Sequence, residues 1–336
     1  MKKGIIYQLI MLSAFLVLLA GCRKEELDLG SARVEVVLSP QGVGDQGYND
    51  KILRGLQKAS AQYGFTLALH IPLEKEHGLQ IYEEWLNSDP GDECERSLFL
   101  FSGSEYEYLA DSLALPEDPR KDVLMFETDR HVDGIYSFRI GCYAASYMAG
   151  AASVLENEGQ EQRALVIAAN PHDRNVKRAV DGYRDGYIAA GGNGCDVLYL
   201  SDEPDGGYNM QDEAYRACVQ NKGRYEFHFS VAGASNKGVY RFSREYVEFA
   251  VGMDDDMSLF SAFVVMSVVK HIDRAVIDIV GDLLKNRDIP YHQDFTYRSG
   301  YEDIVFTPLL VADFVLGISD IRKRILEIEE RYEEAN

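Results

Sequence analysis

The sequence has little proline and few basic residues, and each shortage excludes a class of protein. Its 336 residues include only 9 prolines, beside 21 tyrosines and 15 phenylalanines that can form a core, which excludes a fibrous or disordered chain. Lysine and arginine together number 34, against 55 aspartate and glutamate residues, so the net charge is −21. A chain this acidic lacks the broad phosphate-neutralising surface that nucleic-acid binding requires. We therefore expect no nucleic-acid partner.

Long apolar runs are also missing, apart from one at the N-terminus. Residues 5–20 are apolar, follow two lysines and are rather short for a membrane-spanning helix. They lead into Leu19-Ala20-Gly21-Cys22, which resembles the lipobox of bacterial lipoproteins. The resemblance implies a signal peptide over 1–21, a lipid anchor on Cys22 and a tether over 22–32, in the cell envelope of a bacterium, periplasmic or surface-exposed. An ordinary signal peptide with a coincidental cysteine is the alternative.

Cysteine is too sparse for a disulfide framework. Apart from Cys22, the chain has Cys94, Cys142, Cys195 and Cys218. No Cys-x-x-Cys motif occurs, so we expect no metal site. An exported protein can form disulfides, and the pair to consider is Cys195 with Cys218, while free buried thiols are an equal alternative.

Strand-like and helix-like segments alternate along the rest of the chain. One round of alternation starts near Val34, and a second starts near Ala164. Repeated βα units indicate parallel sheets with helices on both faces. Two rounds of about 100 residues each predict an α/β fold with two doubly wound parallel-sheet lobes. Ligands of such sheets bind at the carboxyl ends of the strands.

The first of these loops contains a misleading motif. Residues 42–47 fit G-x-G-x-x-G between a predicted strand and a predicted helix, which is the context of a dinucleotide site. However, Asp45 lies inside the loop, where its charge opposes a pyrophosphate. The second predicted strand ends at Ile71-Pro72 without an acidic residue to hold a ribose. We therefore expect no nicotinamide or other cofactor.

The segment Asp45–Asn49 is similar instead to the Asp-x-x-Phe-Asn signature of the basic membrane lipoproteins. These are substrate-binding proteins of the purine nucleoside receptor type, with the type I periplasmic binding fold. Their motifs resemble several further segments of this chain in order and spacing. These segments are Val123–Asp129, Ser146–Gly150, Arg178–Gly186, Gly233–Tyr240, Gly252–Asp256 and Ser267–Ala275.

The resemblance implies a fold and a function. Two lobes joined by a hinge would comprise residues 33–138 with 257–296, and residues 139–256 with 297–336. A nucleoside or similar hydroxylated flat heterocycle would bind in the cleft between them. The expected protein is a monomeric, membrane-anchored solute-binding lipoprotein that works with an ABC-type permease and is not an enzyme.

The resemblance also implies the site residues. Tyr48 and Tyr240 would stack on the two faces of a planar ring. Asp254 and Lys270 would hold the ribose hydroxyls, since a carboxylate accepts from them and an ammonium donates. The remaining ligand-binding positions, at the base edge and in the loop before Tyr240, are Asp45, Asn49, Asp129 and Gly233.

Other interpretations of these residues remain open. Tyr48 and Tyr240 could only pack the ends of the sheets. The Asp254–Asp256 run could bind calcium, although it lacks the regular ligand spacing of an EF-hand. The protein could be a ligand sensor that signals to a membrane partner without transport. A nucleoside-processing hydrolase would need one of three histidines beside a nucleophile: His131, His172 or His228.

Overall fold

The computed structural model describes residues 32–155, 163–308 and 312–335. Cys22 and the predicted signal peptide lie outside the described residues. The described part forms two α/β lobes, each built on a six-stranded sheet. The predicted fold class is therefore confirmed.

Strands and helices alternate as the sequence predicts. The strands are β1 Arg33–Leu38, β2 Thr66–His70, β3 Ser97–Ser102, β4 Lys121–Phe126, β5 Tyr136–Ile140, β6 Ala164–Ala168, β7 Cys195–Tyr199, β8 Phe227–Val231, β9 Phe249–Asp254, β10 Val264–Lys270, β11 His292–Phe295 and β12 Glu302–Phe306. The α-helices are α1 Tyr48–Tyr63, α2 Lys75–Asn87, α3 Tyr143–Leu155, α4 Arg174–Ala189, α5 Gln211–Gln220, α6 Asn236–Tyr246, α7 Ile272–Leu284 and α8 Ala312–Ala335. Short 3₁₀ helices cover Ser104–Leu109, Gly233–Ser235 and Tyr297–Ser299.

The two sheets share one strand order but differ in the direction of one edge strand. The first has the order β11-β5-β4-β3-β1-β2 and the second β12-β10-β9-β8-β6-β7. All pairings in the first sheet are parallel, whereas β12 runs antiparallel to β10 in the second. Because β4 and β9 occupy equivalent positions, their carboxyl ends form equivalent corners of the two lobes.

One predicted lobe boundary differs from the structure. The sequence prediction places residues 257–296 in the first lobe, but Val264–Lys270 is β10 of the second sheet, between β9 and β12. All seven residues of β10 are buried, which suits a strand covered on both faces. The chain returns to the first lobe only after Lys270, and there α7 packs against α1. The strand β10 thus ends at the boundary between the lobes.

Local sequence accounts for the first βα unit. Strand β3 reads Ser-Leu-Phe-Leu-Phe-Ser and is buried at every position, as a central parallel strand requires. Helix α1 buries the stripe that its spacing predicts, Ile52, Leu56, Ala59 and Tyr63. Gly64 ends it in the left-handed conformation, with a φ of 77°.

Glycines allow α3 and α4 to pack with their backbones close together. A Cβ atom at Gly150 would lie 1.9 Å from the carbonyl oxygen of Tyr183. A Cβ atom at Gly186 would lie 1.9 Å from the carbonyl oxygen of Tyr147. Any side chain at either position would therefore separate the two helices. This packing explains the run of small residues in α3 and fixes the core of the second lobe.

The four described cysteines are free thiols, so the candidate pair Cys195–Cys218 is not formed. Cys195 starts β7, whereas Cys218 lies in α5. Burial raises the pKa of the Cys142, Cys195 and Cys218 thiols to about 12. They are therefore protonated and behave as small apolar side chains.

Helix α8 completes the second lobe by packing against α3. Its side chains Ile318 and Ile325 are buried in the core of that lobe. Charged residues cover much of the rest of the helix, which gives it an amphipathic character. Within residues 32–155, 163–308 and 312–335, no helix is both long and apolar enough to cross a membrane.

Candidate functional site

A cavity of about 700 Å³, part of it open to solvent, lies between the lobes at the carboxyl ends of their strands. We call it the main cavity. Side chains of both lobes line it. The first lobe contributes Ser39, Asp45, Tyr48, Asn49, Glu105 and Glu127, and the second contributes Asp173, Asn175, Tyr208, Gly233, Asp254 and Lys270.

Lys270 and Glu127 form a buried ion pair across the lobes. The Lys270 ammonium donates to Glu127 Oε2 at 2.7 Å, and both residues are less than 5% exposed. Lys270 ends β10 of the second sheet, while Glu127 directly follows β4 of the first. Burial opposes the charge on Lys270, but Glu127, Cys142 and Asp254 outweigh that effect and hold its pKa above the usual range. The predicted site residue Lys270 is therefore a charged group of the main cavity.

Glu127 and Asp254 both have a left-handed backbone. Their φ angles are 57° and 75°, although neither is a glycine. Each stands at the carboxyl end of a strand, Glu127 after β4 and Asp254 at the end of β9. A non-glycine residue in this conformation is strained, and such residues cluster at functional sites. The two lobes therefore present one acidic residue each at equivalent corners of the main cavity.

The loop before α1 places three predicted residues at the main cavity. Tyr48 and Asn49 begin α1 and line it, and Asn49 is 1% exposed. Asp45 also lines it, but its carboxylate accepts the backbone N–H groups of Gly47, Asn49 and Asp50. Asp45 thus holds the start of the helix in place rather than offering a free carboxylate.

The same hydrogen bonds exclude the dinucleotide interpretation of this loop. The Asp50 carboxylate accepts from Gly44 N at 2.7 Å and from Gln46 N at 2.8 Å, while Asp45 accepts from Gly47 N at 2.9 Å. A pyrophosphate would need these N–H groups, which already bind two carboxylates. The prediction that the motif is not a nucleotide site agrees with this geometry.

The structure places Tyr240 outside the main cavity, unlike Tyr48, with which it was predicted to stack on a ligand ring. Tyr240 is 2% exposed and does not line the main cavity. Its hydroxyl is hydrogen-bonded to Ser230 Oγ and accepts from Met253 N, both at 3.2 Å, and its ring packs against Phe260. It lines a smaller adjoining space of about 230 Å³, together with Asp45, Tyr48, Gly233 and Asp254. Its position on the inner face of α6 buries it in the second lobe.

Tyr208 is the aromatic residue that the second lobe contributes to the main cavity. Its hydroxyl donates to Asp173 Oδ2 at 2.6 Å. Gly233 lies beside it, since a Cβ atom at Gly233 would be 3.3 Å from the Tyr208 ring. Gly233 has a φ of 53° and lines the main cavity as predicted. Sequence reasoning missed Tyr208, although it directly follows the Gly206-Gly207 pair in the loop after β7.

Asp129 is also placed differently from the prediction. It forms ion pairs with Arg139 at 3.3 Å and with Arg174 and Arg178 at 3.2 Å. Burial opposes its charge, but Arg178 and Arg139 outweigh that effect and hold the pKa of Asp129 below its usual range. It lines an adjoining space of about 810 Å³, the side cavity, and not the main cavity. Glu127, two residues earlier, lines the main cavity instead.

The main cavity is strongly acidic. Asp45, Glu105, Glu127, Asp173 and Asp254 line it, and Lys270 is the only basic side chain among its described lining residues. Burial raises the pKa of Glu105 to about 7 and that of Asp254 to about 6. These shifts reflect carboxylates that lose water without gaining a full opposite charge.

Direct contacts between the lobes surround the main cavity. The Lys51 ammonium on α1 donates to the carbonyl oxygens of Asp254 at 2.9 Å and Lys270 at 2.8 Å. On the opposite side, Ser104 Oγ donates to Asp173 Oδ2 at 2.6 Å. Ion pairing of Lys75 with Asp205 and a hydrogen bond from Lys237 to the Gly44 carbonyl also join the lobes. The structure therefore describes a closed arrangement.

The residues that the calcium and hydrolase interpretations require contact other groups or are buried. Asp255 pairs with Lys51 at 3.2 Å and with Arg54 at 2.6 Å, so two cations already occupy the carboxylate of the supposed calcium loop. His172 contacts the Asp202 carbonyl at 2.8 Å, and His131 stacks on His292. His228 is fully buried, and burial lowers its pKa to about 4.

Solved structures similar to this chain include solute-binding proteins and a transcriptional activator. A solute-binding protein of an ABC transporter system from Aeropyrum pernix K1 has a TM-score of 0.70 at 16% identity, covering 89% of this chain and 86% of that one. A transcriptional activator of the comK gene from Bacillus halodurans has a TM-score of 0.69 at 16% identity, covering 87% and 97%. An ABC transporter solute-binding protein from Burkholderia graminis C4D1M, in complex with D-arabinose, has a TM-score of 0.60 at 13% identity, covering 85% and 98%.

These similarities establish the type I periplasmic binding fold. At such low identities they show the fold alone, and membership of the basic membrane lipoprotein family remains a prediction. No protein-family model matches the chain. No curated protein matches its sequence significantly.

Proposed function

We propose that this protein is a solute-binding protein that captures a small hydroxylated molecule between its lobes for ABC-type uptake. The observation that carries the proposal is the main cavity, which both lobes line and which the Lys270–Glu127 pair spans. The similar solved structures, which include a complex with D-arabinose, support the proposal.

We further propose a ligand with a ring and vicinal hydroxyls, of which a nucleoside is the leading example. Tyr48 from the first lobe and Tyr208 from the second supply aromatic surface for the ring. Asp254 accepts from hydroxyl groups and Lys270 donates to them, while Asn49 reads the ring edge. This assignment keeps the predicted roles of Tyr48, Asn49, Asp254 and Lys270, and replaces Tyr240 by Tyr208.

Capture follows from closure of the lobes around the ligand. The ligand contacts residues of both lobes, so its binding free energy favours the closed arrangement over the open one. The contacts from Lys75 and Lys237 to the opposite lobe add to this preference. In the proposed mechanism no covalent bond changes, and the protein returns to an open form when it delivers the ligand. Anchoring through Cys22, in the basic membrane lipoprotein manner, would keep it beside its permease.

Native mass spectrometry of the purified mature chain, followed by calorimetry with nucleosides and pentoses, tests this function. We expect a bound small molecule or a saturable one-to-one titration, with no change in the ligand after incubation. The variant Lys270→Met should lose binding, while Lys323→Met, an exposed lysine on α8, should keep it. Turnover of the ligand, or unchanged binding by folded Lys270→Met, would contradict the proposal.

A further inference from the structure

Several buried polar atoms of the main cavity have no hydrogen-bond partner among the described residues. They are Tyr48 Oη, Asn49 Oδ1, Glu105 Oε1, Glu127 Oε1 and Asn175 Oδ1. Four of the five can only accept hydrogen bonds, and the tyrosine hydroxyl can do either. Because buried polar atoms are normally paired, these atoms indicate a ligand that mainly donates.

The carboxylates of the main cavity differ in what already satisfies them. Asp173 accepts from Ser104 and Tyr208 at 2.6 Å and from two backbone N–H groups at the start of α4. Glu127 is paired with Lys270, and Asp45 holds the loop before α1. Glu105 accepts from Ser39 and from its own backbone N–H, and Asp254 lies near the charges of Lys270 and Lys51, but neither forms a salt bridge with any residue that the structure describes.

These two carboxylates approach the main cavity from different lobes. Glu105 lies in the 3₁₀ helix after β3 of the first lobe, and Asp254 ends β9 of the second. A positive charge between them would gain from both and would also draw the lobes together. The aromatic surfaces of Tyr48 and Tyr208 suit a cation as well as a neutral ring.

We propose that the ligand is a hydroxylated amine that carries its protonated nitrogen between Glu105 and Asp254. This inference rests on the proposed function and narrows its ligand class. The ammonium supplies up to three donors, and the hydroxyls supply more, which matches the unpartnered acceptors. A neutral ligand of the same shape would leave Glu105 without an opposite charge, and would leave Asp254 with only the charges of Lys270 and Lys51, which already pair with Glu127 and Asp255. An anionic ligand would add a further charge of the same sign.

Matched pairs of probes that differ only in the amine test this proposal. Adenosine is compared with 5′-amino-5′-deoxyadenosine, and each common pentose and hexose is compared with its amino sugar, by calorimetry and thermal shift at pH 7.5. We expect at least one amine to bind about tenfold or more tightly than its neutral partner. The ligand that copurifies, identified by native mass spectrometry, should carry an amine.

Variants assign the preference to the two carboxylates. Glu105→Gln and Asp254→Asn should each reduce the amine's advantage over its neutral partner about tenfold. The advantage is a ratio of two affinities, so the weaker hydroxyl binding that Asp254→Asn causes in both partners cancels from it. Glu327→Gln, which removes an exposed carboxylate of α8, should keep the full advantage. If a carboxamide variant fails to fold, the copurified ligand and the probe pairs tested on the wild type still decide whether the ligand carries an amine.

Failure of this inference is distinguishable from failure of the proposed function. Tighter or equal binding of every neutral partner, or a copurified neutral or anionic ligand, would overturn the amine and leave solute binding intact. No copurified ligand and no binding by any probe would contradict both.

Discussion

Lys270 Nζ and Glu127 Oε2 lie 2.7 Å apart, so the last residue of β10 in one lobe is bonded to the residue that follows β4 in the other. Both side chains are at most 5% exposed. The ion pair therefore joins the two lobes and also forms part of the wall of the main cavity.

The first prediction concerns this ion pair. Glu127→Gln should lower the free energy of unfolding by about 3–5 kcal/mol, because it leaves the Lys270 charge buried without its partner. The double variant Glu127→Leu with Lys270→Met should lower the free energy of unfolding by clearly less, since neither charge of the pair remains buried. Urea denaturation measures all three proteins, with Lys323→Met as the matched surface control. A double variant as unstable as the single one would contradict this account.

The second prediction separates the aromatic residues. Tyr48→Ala and Tyr208→Ala should each weaken ligand binding by about 1–3 kcal/mol, because each removes a ring from the main cavity. Tyr240→Phe should leave affinity unchanged but lower the melting temperature, because its hydroxyl bonds Ser230 and Met253 inside the second lobe. Titration of each variant beside its melting curve distinguishes the two effects. A stacking residue would also tolerate Phe, so Tyr240→Ala supplies the contrast. An affinity loss in folded Tyr240→Ala as large as that of Tyr208→Ala would restore the original prediction for that residue.

The third prediction concerns pH. Burial raises the pKa of Glu105 to about 7 in the folded protein, above its ordinary value. Its protonated form is therefore favoured by folding, and that contribution is complete below about pH 4.5 and lost as the pH rises through 7. The stability of the ligand-free protein relative to Glu105→Gln should thus fall by up to about 3 kcal/mol between pH 4.5 and 8.

Chemical denaturation of both proteins across this pH range provides the measurement. Taking the difference removes the opposite effect of His228, whose pKa is lowered to about 4 by burial and which destabilises both proteins alike in acid. A difference that stays flat with pH would show that Glu105 keeps an ordinary pKa.

The fourth prediction concerns closure. The double variant Lys75→Met with Lys237→Met removes two contacts between the lobes, to Asp205 and to the Gly44 carbonyl. Without ligand it should have a larger radius of gyration than the wild type by small-angle scattering. Its affinity should fall a few-fold, because closure becomes less favourable. Identical scattering from the two ligand-free proteins would mean that these contacts do not determine the equilibrium between the open and closed arrangements.

The fifth prediction concerns anchoring. Cys22→Ser should abolish lipid attachment, because no other thiol stands at the lipobox position. Labelling of cells with palmitate, followed by detergent phase partitioning, measures the outcome. The variant Cys94→Ser serves as the control and should keep its label. Equal labelling of Cys22→Ser and the wild type would refute the anchor.

Sequence patterns predicted the fold better than the site because the fold depends on repeated local signals. The buried stripe of α1 and the apolar run of β3 are each readable within one element. The assignment of β10 failed because its sheet is chosen by its neighbours, β9 and β12, and not by its own composition.

The site depends on contacts that no local pattern contains. Asp129 lost its predicted role because three arginines from β5 and α4 surround it, and only the folded chain brings them together. Tyr240 does not line the main cavity because its position on α6 directs its side chain into the core of the second lobe. Glu127 could have been found, since it directly follows a buried strand and stands in the same segment as Asp129.

The left-handed backbone at Asp254 has a consequence for protein engineering. A search for thermostabilising substitutions would favour glycine there, because glycine adopts positive φ angles without steric cost and Asp254, unlike Glu127, forms no salt bridge with a described residue. That change would also delete a carboxylate from the cleft. Selection for heat resistance alone would therefore drive this protein toward a sturdier scaffold that no longer holds its ligand.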